Sequence, residues 1–215
     1  MLKFARHISF ILTYMLMSCL LVSGANAAEQ LSAKVPDGWI LGLDNQVGEL
    51  KVQEFFPPET IDYWQQKVVY EALTSDDLPD ALDYVDGLAD QQAERCDEFQ
   101  RRDIHVGFEN QYPTVVTVLQ CGINNLTGKP IVTLLKVIKG NRSLYTVSRI
   151  WRLEPTVAED GSTALTKAEE LIPTSEFAAW SATLRNVLLC DSDLPAHTCP
   201  DQNPNQKSDP STDKE

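Results

Sequence analysis

Residues 130–153, PIVTLLKVIKGNRSLYTVSRIWRL, decide the fold. Two β-branched, apolar runs, 130–139 and 144–153, flank Gly140-Asn141, a dipeptide that suits a two-residue hairpin turn. That turn pairs Lys136 with Tyr145, Leu134 with Val147 and Val132 with Arg149 on one face. The face is mixed, with Lys136 and Arg149 beside Tyr145 and, further along, Trp151. The opposite face carries Ile131, Leu135, Val137, Leu144 and Ile150 and reads as core, because successive strand residues point to opposite sides.

Working outward, strands are expected over 103–109 and 114–121, joined by Asn110-Gln111-Tyr112-Pro113, and the Asn124–Lys129 loop completes a four-strand meander. Upstream, residues 76–99 predict a helix. Leu78, Ala81, Leu82, Val85, Leu88, Ala89, Ala93 and Cys96 recur on one side, and Asp76, Asp80, Asp83, Asp86, Asp90, Glu94 and Asp97 on the other. Thr74 or Ser75 is placed to cap it. Earlier still, residues 39–43 and 49–56 form a hairpin about Asp44–Gly48 that Pro57-Pro58 ends. A helical turn around 59–65 and a third strand over 67–73 follow. Downstream, residues 155–170 read as a connection and 177–189 as a second helix capped by Thr174. The fold class is α+β: an antiparallel sheet of about seven strands covered by two main helices, in the order βββαββββα.

At the N-terminus Lys3 and Arg6 precede an apolar run, 8–22, and Ser-Gly-Ala-Asn-Ala. These are the parts of a secretory signal cleaved after Ala27, and the run is short for a membrane span of roughly 20 residues. A lipoprotein attached at Cys19, after Leu16-Met17-Ser18, is the alternative. The domains are therefore a signal peptide (1–27), a single α+β domain (28–200) and a polar tail (201–215) expected to be disordered. Cleavage leaves Cys96, Cys121, Cys190 and Cys199, an even set that predicts two disulfides in an oxidising compartment. The local pairing Cys96–Cys121 and Cys190–Cys199 is preferred among three connectivities. A metal held by Cys190, His197 and Cys199 with Asp191 or Asp193 is the other reading of the last loop, and no metal or cofactor is assigned.

The formal charge of −13 becomes −15 once Lys3 and Arg6 are removed, which disfavours nucleic acid as a partner. The charge is also segregated. No acid lies between Glu109 and Glu154, a stretch that holds Lys129, Lys136, Lys139, Arg142, Arg149 and Arg152. Either these cations pair with acids elsewhere, or Lys136, Tyr145, Arg149 and Trp151 form a site for an anionic group such as a carboxylate, phosphate or lipid head group.

Gly38-Trp39, the "GKP…KVIKGN…LYTVSR" hairpin and "LCDSDLPAHTCP" resemble an uncharacterised family of exported proteobacterial proteins, and the order of elements resembles the Mog1/PsbP-like architecture. The resemblance implies location and fold and brings no catalytic motif. His105 and His197 are the two histidines after the signal, and no G-x-S-x-G, H-E-x-x-H, P-loop or dinucleotide fingerprint is present. The expected function is a non-enzymatic periplasmic or envelope binding or accessory protein, acting on an anionic ligand or an envelope protein. An acidic inhibitor or immunity protein against a cationic toxin, and an envelope hydrolase without a known motif, are the alternatives. Oligomeric state is not legible.

Overall fold

In the computed structural model, which describes residues 29–155 and 172–191, the strands are β1 (Gln30–Ser32), β2 (Ile40–Val47), β3 (Leu50–Phe56), β4 (Gln66–Thr74), β5 (Phe99–Glu109), β6 (Tyr112–Asn124), β7 (Lys129–Lys139), β8 (Ser143–Arg152) and β9 (Leu188–Cys190). Helix α1 spans Ala81–Ala93 and α2 spans Thr174–Arg185. The signal peptide, Cys19, His197, Cys199, the tail and most of the 155–170 connection lie outside the described residues. No helix among the described residues is long and apolar enough to cross a membrane.

Strands β2 to β8 form one antiparallel sheet in the order β2-β3-β4-β8-β7-β6-β5. The chain runs β2-β3-β4, crosses through α1 to the far edge at β5, and returns by the meander until β8 pairs with β4. Alternation then gives two cores. Val115, Leu119, Leu135, Val137 and Leu144 meet Ala81, Val85 and Ala89 of α1. Val118, Val132, Leu134, Ile138, Val147 and Trp151 meet Trp180 and Leu184 of α2. The face expected to be mixed is therefore a second core, closed by α2.

The expected seven strands and two helices are present, with shifts at their ends. Helix α1 begins after Pro79, because a proline inside a helix lacks the N–H and clashes with the preceding turn. It stops short of 99 because Cys96 is tied to Cys121 and bridges Asn124. Neither Thr74, Ser75 nor Thr174 caps a helix: Asp80 and Pro173 occupy the two N-cap positions, without side-chain caps. Residues 57–65 make turns rather than a helical turn. The β2–β3 turn tightens to Gly48-Glu49, and the β5–β6 turn to Asn110-Gln111, both at positive φ (47° and 67°) as a two-residue hairpin with primed-turn geometry requires.

The central hairpin is wider than expected. Lys139 pairs with Leu144, so Lys136 faces Val147, Ile138 faces Tyr145, Leu134 faces Arg149 and Val132 faces Trp151. Glu29 causes the widening, since its carboxylate accepts the Asn141 and Arg142 N–H groups and sits where a Cβ on Gly140 would be. The register moves by two residues, and an even slip leaves every side chain on its face. Two short strands were not foreseen: β1 pairs with β9, joining residues 30–32 to 188–190.

The expected Cys96–Cys121 disulfide is present among the described residues; Cys190 is buried at the end of β9, and Cys199, its expected partner, lies outside the described residues. The bridge fastens the end of α1 to β6, with 25 residues of separation. Replacing Cys96 and Cys121 together by Ser is expected to cost about 3 kcal/mol, read as a lower urea midpoint with a slope that rises as the released unfolded chain expands.

Candidate functional site

The four residues singled out from the sequence share one sheet face but not one site. Lys136 is fully buried. Its Nζ donates to Glu109 Oε2, to Leu184 O at 2.9 Å and to Val187 O at 2.7 Å, which uses all three of its hydrogens. Two acceptors are carbonyls at the C-terminal end of α2, the negative pole of the helix. Burial pushes the ammonium below its ordinary value and Glu109 opposes that shift. Lys136 is thus a structural cation with no hydrogen left for a ligand. Tyr145 is half-buried, its hydroxyl pushed up by burial, and it lines a separate cavity of about 270 Å³ between β3, β4, β8 and residues 31–35.

Arg149 and Trp151 do converge. The Arg149 guanidinium, 8% exposed, lies over Trp39 at 4.4 Å, with Trp151 at 5.3 Å and Trp180 at 5.5 Å from their ring centroids. Its Nη2 donates to Gln66 Oε1 and, at 2.8 Å, to Glu176 Oε1. Trp151 Nε1 donates to the same Glu176 oxygen at 2.7 Å, and Phe177 stacks on the Trp151 ring. Burial lowers the Arg149 pKa and the Glu176 charge opposes this. Three indole faces attract the cation and one carboxylate balances it.

Two donors in this cluster remain unmatched. Arg149 Nε and Trp180 Nε1 are buried with no hydrogen-bond partner, and Trp180 is only 5% exposed. Both residues line a groove of about 470 Å³ between α2 and residues 32–37, with Lys34, Asp37 and Glu176 on its walls. Buried N–H groups without acceptors are rare in folded proteins. Trp39, Gln66, Glu176 and Trp180 were missed from sequence because they belong to three other segments: the stretch before β2, β4 and α2. Gly38-Trp39 was noticed as a string, and its pairing with Arg149 has no signal in spacing.

The segregated charge is largely cancelled in space. Lys129 meets Glu154, Lys136 meets Glu109, Lys139 meets Asp80 at 2.6 Å and Arg149 meets Glu176. Arg152 instead lies over Trp64 at 4.2 Å and donates to the Trp64 carbonyl. His105 stands in β5 with Nε2 4.0 Å from Glu109 Oε1, and shares a small pocket with Ser181. The Ser181 hydroxyl donates to Phe177 O at 2.8 Å. No group of three or more His, Cys, Asp or Glu among the described residues could hold a metal.

No family model matches the chain, and no curated protein does. Among solved structures, a Pseudomonas aeruginosa protein of unknown function is similar at 14% identity over 73% of this chain and 94% of its own, with a TM-score of 0.36. At that score the likeness contributes nothing to the reading of the groove.

Two consequences can be measured. Lys136→Ala leaves Glu109 without its cation and two helix-end carbonyls without a donor, and is expected to lose roughly 3–5 kcal/mol of unfolding free energy. Tyr70 donates to Lys34 O, holding residues 31–37 against the sheet, and burial pushes its pKa up to about 12. A raised folded-state value means that this contribution is whole below the unfolded value of about 10 and is lost as pH rises towards 12. Wild type should therefore lose more stability than Tyr70→Phe between pH 10 and 12 in alkaline denaturation.

Proposed function

We propose that this chain is an exported, non-enzymatic binding protein of the periplasm or cell envelope whose groove beside Arg149 receives an anionic group. The observation that carries the reading is the pair of unmatched donors, Arg149 Nε and Trp180 Nε1, on residues that line one groove. An acceptor that reached them would supply the partners they lack. Hydrogen bonds to a charged acceptor contribute about 1.5–3 kcal/mol each. The other requirements of a binding site are present: a rigid floor in β8, a wall in α2 and a concave opening within the size range of ligand pockets.

Export rests on the signal-like residues 1–27 and on the disulfide, which suits an oxidising compartment. In this reading cleavage follows Ala27, the folded domain spans 28–200, and Cys190 and Cys199 close a second bridge across the last loop. The Mog1/PsbP-like resemblance belongs to the same proposal.

Trp180→Phe keeps the ring and removes the indole N–H. Titration of the mature chain with acetate, followed by the indole N–H resonances in NMR, should move the Trp180 signal in wild type, and inorganic phosphate, a dianion, should move it less. The same titration should show binding about tenfold weaker or worse in the variant. An indole spectrum indifferent to both anions refutes the reading. N-terminal sequencing of envelope-derived protein should begin at Ala28.

A further inference from the structure

The groove has a neighbour. Residues 31–37 cross the α2 face of the sheet as a strap whose successive side chains part to either side. Leu31, Ala33 and Val35 line the 270 Å³ cavity, while Ser32, Lys34 and Asp37 line the 470 Å³ groove, and Val35 lines both. The cavity wall is mainly apolar, with Phe55, Tyr70, Ala72, Tyr145 and the strap residues, and Lys51, Gln53 and Glu71 also reach it. The groove is lined by Lys34 and Arg149, by Asp37 and Glu176, and by the two residues that carry the unmatched donors. An apolar compartment and an anion-seeking one thus adjoin across a single strand of chain. The strap is secured by three β1–β9 pairs, by Tyr70 donating to Lys34 O and by the Glu29 contact with the β7–β8 loop.

Resting on the binding reading above, we infer that the ligand is a long-chain carboxylate: the carboxylate accepts from Arg149 Nε and Trp180 Nε1, and the acyl chain passes beneath the strap at Val35 into the cavity over Tyr70 and Tyr145. Charge decides the head group. The groove's lining residues include two cations, Lys34 and Arg149, and two acids, Asp37 and Glu176, with Arg149 and Glu176 ion-paired. No net positive charge offsets a second negative charge, so a monoanion with two acceptor oxygens is opposed less than a dianionic phosphate. The tail follows from the cavity wall, since the strap's own Leu31, Ala33 and Val35 already occupy the space with apolar groups. A chain that displaces them at Val35 exchanges one apolar contact for another.

The test uses the mature full chain with three probes, butyrate, laurate and dodecanol, read by tryptophan fluorescence. Each buried methylene strengthens binding about fourfold, so laurate should bind on the order of a hundredfold or more tighter than butyrate. Ala72→Phe, which fills the cavity, should abolish the laurate advantage and leave butyrate unchanged, and Trp180→Phe should weaken both acids. If Ala72→Phe does not fold, the rise in affinity along a series from butyrate to laurate decides instead. Equal affinity for butyrate and laurate overturns the acyl site while the anion-binding reading stands. Dodecanol binding as tightly as laurate overturns the carboxylate role. Failure of all three probes removes both.

Discussion

The buried ammonium of Lys136 joins the parts of this molecule that the chain separates most. It rises from the middle of β7, fully enclosed, and is held by Glu109 at the end of β5 and by the Leu184 and Val187 carbonyls that terminate α2. An enclosed charge is costly unless paired and fully hydrogen-bonded, so its three donors prescribe three acceptors. Helix α2 must end over β7 and β5 must reach it. Once α2 ends there, Leu188–Cys190 are free to pair with Gln30–Ser32, and the N-terminal segment is drawn across the sheet.

The groove is the outcome of that docking. The strap runs from β1 past Tyr70 to Trp39, whose ring covers the Arg149 guanidinium. Helix α2 brings Glu176 and Trp180 to the same guanidinium from the other side. The groove lies between two elements, one of which, α2, is held by Lys136 at its end, by Trp180 and Leu184 in the core and by Glu176 on Arg149. The shape of the groove and the stability of the α2 face are therefore coupled, and substitutions at Lys136 affect both.

Most of the sheet was legible. Period-two apolar runs located β3 through β8, and the 3.6-residue pattern located α1, because local burial repeats with the geometry of each element. Ends were less so. Pro79 cuts α1 at its start, and the disulfide at Cys96 cuts it at its end. The tight turn expected at Gly140-Asn141 opens because Glu29, more than a hundred residues away, places a carboxylate against its N–H groups. Of the four expected ligand residues, Arg149 and Trp151 stand together, Tyr145 lines the adjoining cavity, and Lys136 is sealed under α2.

Residue order alone settled what depends on neighbours a few positions apart: which stretches are strands or helices, which side of each is apolar, and where the cations gather along the chain. Tertiary structure settled what depends on distance in space. It turned the mixed face into a second core and matched four of the clustered cations with acids from distant segments. It also set three tryptophans around one arginine with two N–H groups unsatisfied. Alternation assigns a side chain to a face whatever the pairing. Only the folded chain says what lies across from it.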